Sequence, residues 1–303
     1  MKRAKILVIG SLNMDWMIEV SHTPIAGETI MGHFNKEVPG GKGGNQAYAI
    51  GSLGGHVTML GAVGNDAAGK TLLETLQHAG VNTSAIELKA DVQSGMALIY
   101  INGDGDNTIV VLPNANHTIT KECIWRQKEL IEEADMIVLQ MEIPHEAVYE
   151  AIHIAHSLGK IIILNPAPAP APSSIPNDIL SKIDYLTPNE TELELLSGYS
   201  IHTLEETEQA AKSLLEKGVK HVITTLGSKG ALLVNAQRTT HFPGYPAHVV
   251  DTTAAGDSFN GAIAVYLSEG KTIDEAIQFA NRVASITVTR PGAQSSIPFR
   301  TEL

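Results

Sequence analysis

The stretch VVDTTAAGDSFNGAIAVYLSEG, Val249 to Gly270, carries the densest chemistry in the chain. A short apolar run ends at Asp251. Small residues follow: Thr252, Thr253, Ala254, Ala255 and Gly256. Asp257 then opens a helical pattern, GAIAVYL, that stops at Gly270. Small side chains let a ligand approach the backbone, and N–H groups at a helix N-terminus favour an anion. A carboxylate directly behind such donors suits phosphoryl transfer to an alcohol, which needs donors for developing charge and a base for the hydroxyl proton. Taken alone, the stretch also fits a plain helix N-cap at Asp257.

Outward from this point, β-rich apolar runs alternate with helical patterns. The runs are KILVIGS, HVTMLGAVG, MIVLQME, KIIILNP, YLTPN and HVITTLG; the helices include NQAYAIGSLGG, KTLLETLQHAG, HEAVYEAIHIAHSLG and TEQAAKSLLEKG. Several helices end in Gly, a common stop. The alternation predicts an α/β fold with a mostly parallel sheet covered on both faces. Two segments break the rhythm, Asp15 to Gly41 and Gly95 to Asn116. Both show alternating strands and turn chemistry without a helix, and NGDGDN is a hairpin signal. Together they read as a small inserted β-sheet, a candidate lid. The tract NPAPAPAPSSIP, Asn165 to Pro176, excludes helix and reads as a loop leaving the strand IIILN.

The chain has 303 residues, room for one large α/β domain or two ordinary ones. It carries 21 Lys+Arg against 33 Asp+Glu, net −12, which argues against nucleic-acid and anionic-membrane binding. No apolar run approaches the roughly 18–20 residues that span a bilayer. The N-terminal MKRAKILVIGS reads as a first strand, since its apolar run is too short for a signal peptide. A single cysteine, Cys123, allows no internal disulfide and reads as a small packed side chain in a cytoplasmic protein. The 12 histidines show no metal-ligand spacing.

DTTAAGDSFNGA resembles the C-terminal signature of the ribokinase-like (pfkB-type) carbohydrate kinases. GSLNMD (Gly10 to Asp15), GGKGGNQA (Gly40 to Ala47), QMEIP, LNPAPA, TPNETELE and TLGSKG stand in that family's order, from about Ile6 to Pro298. The resemblance implies a three-layer α/β/α fold over residues 1–303, with the lid at about 15–41 and 95–116. It implies transfer of the γ-phosphate of magnesium-ATP to a sugar, the 5-hydroxyl of D-ribose first; deoxyribose, a nucleoside or another sugar are the alternatives. Asp257 would be the base, and the N–H groups of Ala254, Ala255 and Gly256 the anion hole. Asn13, Asp15, Gly41, Lys42, Asn45 and Glu142 would hold the sugar. Asn189 and Glu192 would organise magnesium and phosphates, and Thr225, Gly227 and Asn281 would contact the nucleotide. Asp251, Thr253, Thr287, Arg290, Gly292 and Ser296 match positions for a monovalent cation, potassium by expectation. A homodimer through the lid strands is implied as well. Plain structural readings stand beside these: Asn189 with Glu192 is also a capping box, and Thr225 to Gly230 also a hairpin turn. Gly44 and Ser258 replace the family's frequent Ala and Thr with other small residues. Trp16 is bulky beside the expected sugar site.

One motif competes. GNDAAGKT, Gly64 to Thr71, fits the phosphate-cradling G-x-x-x-x-G-K-[ST] pattern. Asp66 would place a carboxylate inside that cradle, and no strand ends in the Asp that such an enzyme needs for magnesium. Gly64 therefore reads as a turn and Lys70-Thr71 as an exposed helix start; a P-loop NTPase built on Lys70 is the remote alternative. A non-catalytic sensor on the same fold is the other, against which Asp257 argues.

Overall fold

Lys5–Ile9 forms the first strand, β1, and its side chains divide the molecule. Ile6 and Val8 join one buried cluster, Leu7 and Ile9 another, because successive strand residues point to opposite faces. The computed structural model describes residues 4–103, 107–169 and 175–303. Residues 1–3, the tip of NGDGDN (104–106) and the middle of the proline tract (170–174) lie outside the described residues.

After β1 come β2 (Asn13–Val20), β3 (Gly32–Gly40), α1 (Lys42–Ser52), β4 (His56–Gly64), α2 (Ala67–His78), β5 (Asn82–Lys89), β6 (Gly95–Ile101) and β7 (Asn107–Leu112). Then follow α3 (Lys121–Arg126), α4 (Lys128–Glu133), β8 (Met136–Leu139), α5 (His145–Ser157), β9 (Ile161–Leu164), α6 (Asn177–Leu180), β10 (Tyr185–Leu186), α7 (Glu190–Ser197) and α8 (Leu204–Glu216). The chain ends through β11 (His221–Thr225), β12 (Ala231–Asn235), β13 (Thr239–Phe242), α9 (Ala255–Ser268) and α10 (Ile273–Thr287).

The central sheet runs β13-β12-β11-β10-β9-β8-β1-β4-β5. It is parallel from β5 to β11, and β12 and β13 add an antiparallel edge. One face packs on α3 to α8 through Ile124, Ile131, Val148, Ile179, Leu193 and Leu214. The other packs on α1, α2, α9 and α10 through Ile50, Leu72, Ile263 and Ile277. These are the three layers expected. The strand order reverses at β1, whose neighbours β4 and β8 belong to opposite windings. In such sheets the crevice outside the carboxyl ends of the strands at that point is where ligands bind.

The lid is a second sheet, ordered β3-β2-β6-β7. Its strands β2 and β6, one from each insertion, pair in parallel from Asn13↔Gly95 to Glu19↔Ile101. Asn116, buried, pins the crossing from the main sheet into the lid. It accepts from the Leu12 N–H at 2.9 Å and donates to the Leu12 carbonyl at 3.1 Å and to Asn13 Oδ1 at 2.8 Å. Two boundaries differ from expectation. Gly64 is the last residue of β4 rather than a turn. Helix α9 begins at Ala255, so Asp257 lies inside its first turn and Ala254 takes the cap position.

Candidate active site

The carboxyl ends of β1, β8, β9, β10 and β11 open into one cavity of about 790 Å³, roofed by the lid. Each strand delivers polar residues just past its last apolar one: Asn13 after β1, Glu142 after β8, Asn165 after β9, Thr187 and Asn189 after β10, Thr225 at the end of β11. The lid contributes Asp15 together with an apolar ceiling that includes Met17, Val38, Ala97 and Ile99. Trp16 points the other way along β2 and packs edge-on against Phe34 at 5.6 Å, so it does not crowd the cavity.

Gly40 and Gly41 explain why the loop before α1 is glycine-rich. A Cβ on Gly40 would stand 2.2 Å from Asp15 Oδ2. Gly41 has φ +81°, and a Cβ there would meet the Asn13 backbone nitrogen at 2.7 Å. The loop thereby presses Asp15, Asn13 and α1 together. Lys42 begins α1, and its backbone N–H donates to Glu142 Oε2 at 2.9 Å. The Ser11 hydroxyl donates to the same oxygen at 2.5 Å.

Asp257 is buried and holds a bond on each carboxylate oxygen. Asn45 Nδ2 donates to Oδ2 at 2.9 Å, and Gln46 Nε2 to Oδ1 at 3.0 Å. Its side chain makes no capping bond, so the N-cap reading is set aside. The cap residue Ala254 has φ 60°, a left-handed conformation costing a non-glycine residue about 1–2 kcal/mol. That kink turns the Ala255 N–H onto the Thr252 carbonyl at 3.2 Å. Ala255 therefore does not supply the free donor expected of it. Among the described residues, the N–H groups of Ala254, Gly256 and Asp257 have no backbone acceptor. They are the donors left for an anion at this helix start.

Charge in the cavity is one-sided. Lys42 is the sole lining cation among the described residues, against Asp15, Glu142, Glu190, Glu192, Asp251 and Asp257. Burial, then Glu142 and Asp257, push the Asp15 carboxyl up to about 7, with Lys42 opposing. Burial pulls the Lys42 ammonium down, but Asp257, Glu142, Glu192 and Asp15 outweigh it and leave it above the usual lysine range. Burial raises Glu192 against the Asn189 N–H and Lys42, which lower it. Phosphates could not be held here by basic side chains. They would need backbone N–H groups and a cation brought with them.

The remaining expected residues fall in three places. Asn189 and Glu192 do form a capping box on α7, with bonds of 2.7 and 2.9 Å, and line the cavity as well. Thr225 and Gly227 do form the β11–β12 turn and line both the cavity and an adjoining, mostly apolar one of about 240 Å³. Asn281 faces that second cavity, its amide nitrogen donating to the Phe242 and Pro243 carbonyls, which leaves Oδ1 toward it. Asp251 ties two loops together, accepting from Thr253 N at 2.9 Å and Gly292 N at 2.8 Å. Those bonds outweigh its burial and hold it below the usual carboxylate range. Thr287, Arg290 and Ser296 do not line the cavity. Thr287 is buried against Ser258, Arg290 pairs with Glu302, and the Ser296 hydroxyl donates to the Ala293 carbonyl. No group of three His, Cys, Asp or Glu side chains among the described residues could hold a metal by itself.

Residues 3–300 match the model of the "pfkB family carbohydrate kinase". The chain belongs to this family. As a pfkB-family carbohydrate kinase it is a phosphotransferase acting on a hydroxyl group. It is 42% identical over 300 residues to ribokinase from Bacillus subtilis, covering 98% of this chain and 97% of that one. It is 37% identical over 293 residues to deoxyribokinase from Salmonella typhi, with 97% and 95% covered. The structure of Arabidopsis thaliana ribokinase complexed with ribose and ATP superposes with a TM-score of 0.92, at 35% identity over 99% of this chain and 97% of that one. The pfkB assignment accounts for a cavity that is polar at its floor and apolar at its roof.

Gln46, Gln140, Asn165, Asn116 and Ser11 were not expected from sequence, yet each bonds directly to an expected residue or to the next one in the network. Gln46 lies within the quoted GGKGGNQA, so its position was available.

Proposed function

We propose that this kinase transfers the γ-phosphate of ATP to the 5-hydroxyl of D-ribose. One observation carries the reading: a buried carboxylate, Asp257, stands at the N-terminus of α9 between unpaired N–H groups and a cluster of polar side chains suited to a polyol. Asn13, Asp15, Gly41, Lys42, Asn45 and Glu142 hold the sugar, bridging its hydroxyls as donors and acceptors. Asn116 takes the oxygen of Asn13, so Asn13 turns its amide N–H groups to the sugar. Asp257 accepts the hydroxyl proton as the oxygen attacks. The N–H groups of Ala254, Gly256 and Asp257 receive the charge of the transferring phosphoryl group. Asn189, Thr225, Gly227 and Asn281 hold the nucleotide, its base in the smaller cavity.

The acidic lining fits a magnesium ion that travels on the nucleotide phosphates, oriented through Glu192; when bound it neutralises their charge. Asp251, Thr253 and Gly292 line the cavity with hard oxygen donors that fit potassium, and Thr287, Arg290 and Ser296, whose side chains are bonded elsewhere, would add main-chain oxygens. That ion would order the loop leading into α9. The lid closes over the sugar and excludes water. Its strands also pair two chains into a homodimer, and the protein works in the cytoplasm.

The test is ADP release with magnesium and potassium across ribose, 2-deoxyribose, other sugars and nucleosides. Ribose should exceed deoxyribose in kcat/KM by at least about tenfold, because a site built to bind a hydroxyl is left with unpaired groups by the analogue lacking it. Equal use of both, or preference for deoxyribose or a nucleoside, moves the enzyme to a sister activity.

A further inference from the structure

Gln46 is fully buried in α1, one residue after Asn45, and its amide is satisfied at every position. Nε2 donates to Asp257 Oδ1 at 3.0 Å and to Asn165 Oδ1 at 3.1 Å. Oε1 accepts from Gln140 Nε2 at 2.7 Å. The orientation is forced. An ionised carboxylate only accepts, so the Gln46 nitrogen faces Asp257 and its oxygen faces Gln140. Asn165 in turn donates to the Thr187 carbonyl at 3.1 Å. A line of amides from the ends of β8 and β9 thus runs through α1 to the carboxylate on α9.

We propose that Gln46 is a positioning residue that fixes the plane of the Asp257 carboxylate for proton transfer, a role resting on the reading of Asp257 as the base. Asn45 holds one oxygen, but a single bond leaves the group free to turn about it. The Gln46 bond on the other oxygen removes that freedom. Each oxygen keeps a lone pair, and the carboxylate is presented to the cavity in one orientation. A buried amide costs free energy relative to an apolar residue of like length unless its bonds are made. Here those bonds end on the base. If Gln46 served packing alone, its loss would lower stability and leave the turnover of the folded enzyme unchanged.

The experiment compares Gln46→Met, Gln46→Glu and Asp257→Asn in the full-length enzyme, with kcat, both KM values, pH profiles and melting temperature. Lys42 on α1, Asp15 on β2 and Glu192 on α7 each feel the charge of Asp257, Glu142 after β8 lines the same cavity, and all four stay in place in every variant. Asp257→Asn should lower kcat by about 10²–10⁴-fold or more. Gln46→Met should lower kcat by about 10–100-fold, the order expected for a misplaced catalytic group, with both KM values within about threefold. The acidic limb of its kcat profile should move to higher pH, because a donor favouring the charged carboxylate is gone. Gln46→Glu should move it further, through like charge. Unchanged kcat and an unmoved limb, or a change in melting temperature alone, overturn the proposal while the inactivity of Asp257→Asn keeps the base. Full activity in Asp257→Asn overturns both. Should Gln46→Met fail to fold, Gln140→Leu reads the same point without touching Asp257: kcat should fall several-fold at constant KM, and an unchanged kcat overturns the proposal.

Discussion

Asp15 is a carboxyl that the fold holds against its own preference. Its partner across the sheet on β3 is Val38, and its carboxylate lies over Gly40, two residues on, which leaves room for it only because Gly40 has no side chain. Burial and the charges of Glu142 and Asp257 raise it from 3.8 to about 7, despite Lys42. The folded protein therefore binds this proton more tightly than the unfolded chain between about pH 4 and pH 7. Stability from Asp15 is full below the unfolded value and is lost as pH rises through 7. Asp15→Asn keeps the shape and removes the titration. Without ligand, its gain in melting temperature over the wild type should be larger at pH 8 than at pH 5. A gain that is flat with pH, or larger at pH 5, contradicts this placement. Asp15 and Lys42 were legible in the sequence because GSLNMD and GGKGGNQA, the segments that carry them, resemble the family's sugar-binding segments. Gln46 and Asn116 were not, because a neutral amide reveals its purpose only through the partner it meets, and those partners lie 211 and 103 residues away.

Helix α2 shows how an element settles what a motif leaves open. Asp66 caps it, accepting from Gly69 N at 2.7 Å, and also takes the Ser94 N–H at 2.8 Å and the Ser94 hydroxyl at 2.7 Å. The chain's own carboxylate thus sits where GNDAAGKT would put a phosphate. Burial opposes its ionisation, but the bonds from Ser94 and Gly69 outweigh this and hold it low. Lys70 is exposed, faces Glu74 at 3.8 Å and does not line the cavity. Lys70→Ala should leave kcat and the KM for ATP within about threefold of wild type. Loss of nucleotide binding in a folded variant would return the site to Lys70. Helix α9 and the apolar strands were legible from local pattern, and so was the existence of the lid. Its topology was not: β2 and β6 pair in parallel across some eighty residues of chain, and nothing local in either strand encodes that register.

At the scale of the whole molecule, the lid is the part left uncovered. Strand β7 is exposed along its length and, among the described residues, pairs only with β6, so its outer edge is open to them. Ile109 and Val111 line the cavity, while Val110 and Leu112 alternate to the opposite face and are 45% and 41% exposed. Phe34, half exposed, lies on the other edge strand of the same sheet. An apolar edge strand without charge or proline is a template for pairing with another chain. A second copy would cover it and stiffen the strand that carries the cavity's roof. Light scattering after size exclusion should give twice the 32.3 kDa chain mass at micromolar concentration. Val110→Lys with Leu112→Lys places two charges on the outward face and leaves Ile109 and Val111 in place. That variant should run as a single chain, with the sugar KM raised more than the KM for ATP, because the lid carries Asp15, which is proposed to hold the sugar. A wild-type mass of one chain removes the dimer. A monomeric variant with an unchanged sugar KM keeps the dimer but separates it from the working of the lid.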